Sequence, residues 1–272
     1  KVGEENIEGA IYRRLVDLGT EVRDEVKARY PKILRRVSGY NLDELGGDGL
    51  DMARFVVGSE GTLVAITEAK LKLVPTPKHK ALAVIHFTDL IESMEATVST
   101  LEAAPAAVEL IGSMVLRQAR TNLEYSRMMD FIDGDPEAVL VVEVTADDEP
   151  ELASRLDDLE SRMKRGGHGY AFRRLVTEED QAKVWAVRKA GLGLMMNVTG
   201  SAKPLPFVED TAVAPTALPE YVRRFDEIVR SHDTTAGYYG HASVGCLHIR
   251  PLVDLKGNAG IEKMVSIASD VS

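Results

Sequence analysis

The period of the apolar positions changes near residue 75. Ile7, Ile11, Leu15, Leu18, Val22 and Val26 recur at three- and four-residue spacing with charges between them, which predicts one amphipathic helix over 4–28, ended by Pro31. A loop with Gly46, Gly47 and Gly49 follows. The alternation of Ala65, Leu71 and Leu73 predicts a strand or strand pair over 63–74. Pro75-Thr76-Pro77-Lys78 then breaks the pattern, because two prolines around a threonine favour an extended linker. A boundary there predicts a first domain over 1–78 and a second over 79–272.

Beyond the boundary, strands and helices alternate. Residues 81–87, 107–111, 138–145, 170–176, 205–209, 236–241 and 246–250 read as strands. The predicted helices cover 89–104 with Asp89 as N-cap, 114–128, 151–165, 178–196 and 218–232, with one more beginning near 260. Asp148 is a cap for 151–165, and Gly166-Gly167 its stop. Such alternation argues for α/β or α+β layering. By itself it does not choose between a doubly wound parallel sheet and a ferredoxin-like antiparallel one. Two successive strand–helix–strand–helix blocks hint at duplication.

Charge and composition narrow the function. With 33 basic and 43 acidic residues the formal charge is −10, a poor match to a polyanion partner such as nucleic acid. No apolar run approaches the roughly 18–20 residues of a membrane span. The single cysteine, Cys246, excludes an internal disulfide and a thiolate metal cluster and fits a reducing, cytoplasmic setting. The chain opens at Lys1 without a methionine or signal pattern and stops inside a predicted helix, so we expect a piece of a longer protein.

Four segments could carry chemistry. Gly58-Ser59-Glu60-Gly61-Thr62 combines two glycines with two hydroxyls beside a predicted strand, which lets backbone approach a phosphate or ring; the same residues also suit a plain turn. His241 and His248 are seven apart. On a straight strand they would be separated by roughly 23 Å and point to opposite faces, so they converge only if the chain reverses at Ser243 to Gly245. Converging imidazoles without a thiolate suit zinc or manganese; the alternative is two unrelated strand-end histidines. Arg188 shares a helix face with Trp185, and with Lys203 it could hold a carboxylate or belong to a solvated face. Glu209-Asp210 could orient a metal-bound histidine, pair with an arginine, or cap a turn.

Taken together these segments resemble the FAD-linked oxidases of the vanillyl-alcohol-oxidase superfamily, in the D-lactate, glycolate and D-2-hydroxyglutarate dehydrogenase subgroup. Gly58-Ser59-Glu60-Gly61-Thr62-Leu63 with Ile66-Thr67-Glu68-Ala69 resembles the late segment of that family's FAD-binding (PCMH-type) domain. Ala107-Val108-Glu109-Leu110 resembles a short acidic strand early in the second domain. Trp185 to Arg188 and then Lys203 resemble the carboxylate-holding positions, and Gly240-His241 through His248 the two-histidine metal segment. Two departures stand out: Ser243-Val244-Gly245-Cys246 replaces Gly-Asp-Gly-Asn, and Arg250 replaces an asparagine. This variant is most similar to long members fused to an iron–sulfur unit, and any such cluster would lie outside this chain.

The resemblance implies an α+β fold. The end of an FAD-binding domain (1–78) would precede a ferredoxin-like substrate or cap domain (79–272) with an antiparallel sheet and flanking helices, truncated at its end. It implies hydride removal from the α-carbon of a D-2-hydroxy acid to flavin, with an unknown electron acceptor. FAD would lie against Gly58, Ser59, Glu60, Gly61, Thr62 and Ile66, a divalent metal such as zinc or manganese on His241 and His248, and substrate on Arg188, Lys203 and Arg250. The catalytic base and third metal ligand would follow Ser272, and the early FAD loop would precede Lys1, so the isolated chain is expected to be inactive. Peripheral membrane association of the whole protein is compatible with this. Two other classes remain open at this point: a non-catalytic binding or scaffold domain, and a metal-dependent hydrolase using His241, His248 and Glu209.

Overall fold

A computed structural model describes residues 1–46 and 49–272, so Gly47 of the predicted glycine loop lies outside the described residues. The chain divides into two compact units, Lys1–Val74 and Pro75–Ser272.

In the first unit, helices α1 (Ile7–Glu21), α2 (Arg23–Arg29) and α3 (Met52–Val56) are joined by loops and a 3-10 turn at Leu42–Leu45. The single helix expected over 4–28 is interrupted at Val22. There the Thr20 hydroxyl donates back to the Val16 carbonyl at 3.1 Å, a contact that bends helices. The strand expected over 63–74 does not form. A strand needs a neighbour for its N–H and C=O groups, and none lies beside it among the described residues; Leu71 and Leu73 are 81% and 87% exposed.

The second unit is built on an antiparallel sheet. Its strands are β1 (His79–Phe87), β2 (Ala107–Gly112), β3 (Ala138–Ala146), β4 (Ala171–Leu175), β5 (Lys203–Pro204), β6 (Ala236–His241) and β7 (Cys246–Val253). Their spatial order is β4-β1-β3-β2-β6-β7-β5, and every pairing is antiparallel. The first four strands, in the order 4-1-3-2, make the ferredoxin-like βαββαβ arrangement. The open choice between sheet types thus resolves to antiparallel α+β.

Both faces of the sheet are covered, so the central strands lose the polar alternation of a half-exposed sheet. Ala81, Ala83, Ile85 and Phe87 on β1 join Leu140 and Val142 on β3 in one core. It is roofed by α4 (Leu90–Leu101), α6 (Glu149–Gly166) and α9 (Leu218–Ser231), with α10 (Asn258–Val271) at its margin. Leu82 and Val84 join Val139 and Val141 on the other face, under α5 (Ser113–Thr121), α7 (Glu178–Lys189) and α8 (Gly191–Met196). Burying each such Leu, Ile or Phe contributes about 1.5–3 kcal/mol. The expected caps are present: the side chains of Asp89 and Asp148 accept from the N–H of Glu92 and Glu151 at 2.8 Å, and Gly167 ends α6 at φ +68°.

Three local expectations need correction. The helix expected over 114–128 stops at Asn122, whose side chain accepts from the N–H of Glu124 and Tyr125 at 3.0 and 3.2 Å; a 3-10 segment, Tyr125–Phe131, follows. The helix expected over 178–196 breaks at Ala190 into α7 and α8. The strand expected over 205–209 does not form, and only the two-residue β5 precedes it. The Leu205 N–H reaches the Pro251 carbonyl at 3.1 Å, but Pro206 has no N–H to continue the ladder. The chain beyond it returns to β7 at Asp210, whose N–H lies 3.3 Å from the Leu247 carbonyl, and at an isolated bridge between Ala212 and Cys246.

Candidate functional site

β6 and β7 form a hairpin whose register pairs His241 with Cys246 and Tyr239 with His248. Directly paired residues share a face, so His241 and His248 are diagonal neighbours on the same side of the sheet. The reversal is made by a 3-10 turn, Ala242–Val244, and by Gly245 at φ +70°. A Cβ at Gly245 would stand 1.9 Å from the Val213 carbonyl oxygen. The His241 and His248 ring centroids are 5.2 Å apart, with planes at 77°. The turn expected at Ser243 to Gly245 thus brings the two imidazoles together.

Each imidazole is held through Nδ1 by a carboxylate. His241 Nδ1 lies 2.8 Å from Glu109 Oε1, and His248 Nδ1 bonds Asp210 Oδ1. With Nδ1–H donating, Nε2 keeps its lone pair, the arrangement usual for a metal-binding histidine. Burial pushes the His248 pKa below its ordinary value, opposed by Asp210. Asp210 has φ +62°, a left-handed conformation that Asp tolerates better than most residues. The neighbouring Glu209 turns instead to Arg250, at 2.8 Å from Nη2 to Oε1 and 2.6 Å from Nε to Oε2. The two roles weighed for the Glu209-Asp210 pair, orienting a histidine and pairing with an arginine, are divided between its members.

Glu109 on β2 also receives Arg188 from α7, with Nε and Nη2 at 2.9 and 2.7 Å from its Oε2. The Arg188 guanidinium carbon lies 5.0 Å from the centroid of the Tyr239 ring, and that ring's centroid is 4.8 Å from that of His248. Burial raises the Tyr239 pKa. Arg188, Glu109, Tyr239, His241, His248 and Asp210 therefore form one connected group. Donor atoms of Glu209, Asp210 and His248 lie within 4.8 Å of one another, with Asp210 engaged by His248 Nδ1 and Glu209 by Arg250.

The other expected site residues are placed differently. Lys203 Nζ donates to the backbone carbonyls of Val198 at 2.6 Å and Met196 at 3.4 Å. Arg250 is 7% exposed and its guanidinium is paired with the half-buried Glu209. Trp185 packs at the edge of the α5–α7–α8 core. Tyr239 and the Glu109 bridge were not anticipated. Glu109 was singled out only as part of the acidic strand 107–110, without its partners.

The turn at 58–62, in the first unit, has positive φ at Gly58 (+78°), Glu60 (+50°) and Gly61 (+75°). The Thr62 N–H and hydroxyl both return to the Ser59 carbonyl, at 2.9 and 2.6 Å. A Cβ at Gly58 or Gly61 would meet nothing within 4 Å, which leaves this backbone open to a bound group. Ile66 is exposed. No helix among the described residues is long and apolar enough to cross a membrane.

Residues 76–272 match the family model described as FAD linked oxidases, C-terminal domain. The chain is 32% identical over 263 residues to D-2-hydroxyglutarate dehydrogenase of Pantoea ananatis (strain AJ13355), covering 91% of this chain and 25% of that protein. To the enzyme of the same name from Escherichia coli (strain K12) it is 31% identical over 277 residues, covering 97% and 27%. The chain thus spans about a quarter of the length of these relatives. Among solved structures, an alkyldihydroxyacetonephosphate synthase aligns with a TM-score of 0.51 at 14% identity, covering 82% of this chain and 46% of that one, a likeness of fold.

Proposed function

This chain belongs to the family of FAD linked oxidases, C-terminal domain, and we propose that the face around Glu109, Arg188, His241 and His248 binds a D-2-hydroxy acid of the lactate, glycolate or 2-hydroxyglutarate type for hydride removal from its α-carbon. The observation that carries this reading is the connection of a fixed guanidinium to a pair of imidazoles through Glu109 and Tyr239. A 2-hydroxy acid carries its hydroxyl one carbon away from its carboxylate, so it needs a cation and a hydroxyl-handling centre side by side. The membership favours this reading over a hydrolase or an inert scaffold.

Arg188 binds and orients the substrate carboxylate, in surroundings where burial strengthens a charge-assisted pair. Lys203 is kept as a second anchor on the resemblance and on its third N–H, which has no partner among the described residues. His241 and His248 would hold a divalent ion such as zinc or manganese through Nε2. That ion, when bound, lowers the pKa of the substrate hydroxyl. Glu109 and Asp210 hold the Nδ1 protons and so keep each ring aimed. The open turn at Gly58 to Thr62 would take part of FAD, which supplies the hydride acceptor. The location that fits this reading is the cytoplasm.

The test is anaerobic mixing of the flavin-loaded, full-length protein with D- and L-2-hydroxy acids. Bleaching of the flavin band by a D-acid, slowed roughly ten- to a hundredfold by Arg188→Lys, is the expected result. No bleaching by any 2-hydroxy acid would overturn the reading.

A further inference from the structure

Glu109 touches both halves of the proposed site, and its two oxygens do different work. Oε2 takes two N–H groups of Arg188, and Oε1 faces His241 Nδ1. The Arg188 and Glu109 side chains are 11% and 12% exposed, so water competes little for either contact.

The manner of the Arg188 contact matters. Both bonds come from the Nε/Nη2 edge of the guanidinium and end on one oxygen. Of five N–H donors, the two on Nη1 and the second on Nη2 have no partner among the described residues. They form the outer edge of the fork, which suits bidentate binding of a second carboxylate. Tyr239 lies against the guanidinium and restricts its plane.

The His241 contact selects a tautomer. An ionised carboxylate only accepts, so the ring nitrogen facing it carries the proton and the other keeps its lone pair. Among the described residues no other hydrogen bond fixes which nitrogen of His241 is protonated.

We propose that Glu109 is a positioning residue that sets two things at once: the Nδ1–H tautomer of His241, and the presentation of the outer guanidinium edge of Arg188. The proposal rests on the reading given under Proposed function and deepens it. One carboxylate would link the ion-holding and substrate-holding parts of the site, so that neither is aligned independently.

Glu109→Gln tests this. The amide keeps the shape but has one acceptor oxygen, which can serve Arg188 or His241 but not both, while its NH2 repels whichever N–H it faces. In the 272-residue chain, long-range 15N–1H spectra of the histidine rings should show Nδ1–H at His241 in the wild type and loss of that tautomer in Glu109→Gln. Titration of the metal-stripped full-length protein with Zn2+ alone should show roughly 10- to 100-fold weaker binding in the variant, and Glu109→Asp, which retains two acceptor oxygens, should recover part of it. In the flavin-loaded full-length protein, Glu109→Gln should raise KM as well as lower kcat. If the single variant does not fold, Glu109→Gln with Arg188→Gln removes the buried charge pair together and leaves the tautomer readable. An unchanged Nδ1–H tautomer with wild-type Zn2+ affinity overturns the proposal. Failure of the wider reading has a separate signature: His241→Ala binds Zn2+ like the wild type.

Discussion

His241 and His248 face each other across the turn between β6 and β7, with ring centroids 5.2 Å apart, although six residues separate them along the chain. The register explains the meeting: His241 pairs with Cys246, so His248 lies two residues further along the returning strand, on the same face. Everything proposed for this face depends on that hairpin closing where it does.

Gly245→Ala should therefore damage both fold and site. A side chain at φ +70° costs about 1–3 kcal/mol in strain alone, and its Cβ would press on the Val213 carbonyl at 1.9 Å. Urea unfolding should show the loss. Substitution of the exposed Gly257, where a Cβ meets nothing within 4 Å, is the control and should have little effect.

Arg188→Ala should lower stability as well as substrate binding. Its removal leaves Glu109 as a part-buried carboxylate without its arginine, a change costing about 1–3 kcal/mol. Thermal unfolding should drop by several degrees, with Arg188→Lys intermediate. A variant as stable as the wild type would mean that Glu109 is rescued by His241 alone.

The strand–helix order of the second unit was legible because its apolar runs are long and its caps are strong. Asp89, Asp148 and Gly167 stand where helices must begin or end. The misreadings lie where a side chain or a missing donor interrupts the backbone pattern. Asn122 stops α5, and Pro206 leaves the ladder unable to continue. The residues 63–74 alternate like a strand but have no neighbouring strand among those described. At the site, the hairpin bend could be argued from Ser243 and Gly245. The pairing of Glu109 with both Arg188 and His241 could not, because these residues come from β2, α7 and β6 and only the sheet order brings them together. The pairing of Arg250 with Glu209 was hidden for a related reason: Glu209 arrives on a segment that proline had diverted.

Stability of the second unit should fall with mild acidification through His86. This ring is fully buried, its Nδ1 lies 3.3 Å from the Ala171 carbonyl, and its Nε2 lies 3.1 Å from the Asp133 N–H. Burial lowers its pKa from the ordinary 6.5. The unfolded chain therefore binds a proton near pH 6.5 that the folded chain still refuses, so this contribution is complete above that pH and is lost as pH falls towards the folded pKa. Urea midpoints between pH 7.5 and 5.5 (approximate bounds for this window) should decline in the wild type. The decline should be shallower in His86→Gln, with a residue left by His248, whose pKa moves in the same direction.

Gly61→Val should lower the flavin content of the full-length protein several-fold. The valine must adopt φ near +75°, and its methyl groups would occupy space that is open beside the backbone. Absorbance of the purified protein measures this directly. Unchanged flavin content would make residues 58–62 a turn with no part in binding.

The central claim, that the hairpin histidines serve one ion beside the substrate anchor, is tested most directly by titrating the metal-stripped full-length protein with Zn2+ in a calorimeter. The account predicts one ion per chain, with binding lost on His241→Ala and, separately, on His248→Ala. Two independent sites, or Zn2+ binding of wild-type strength in either variant, would contradict it.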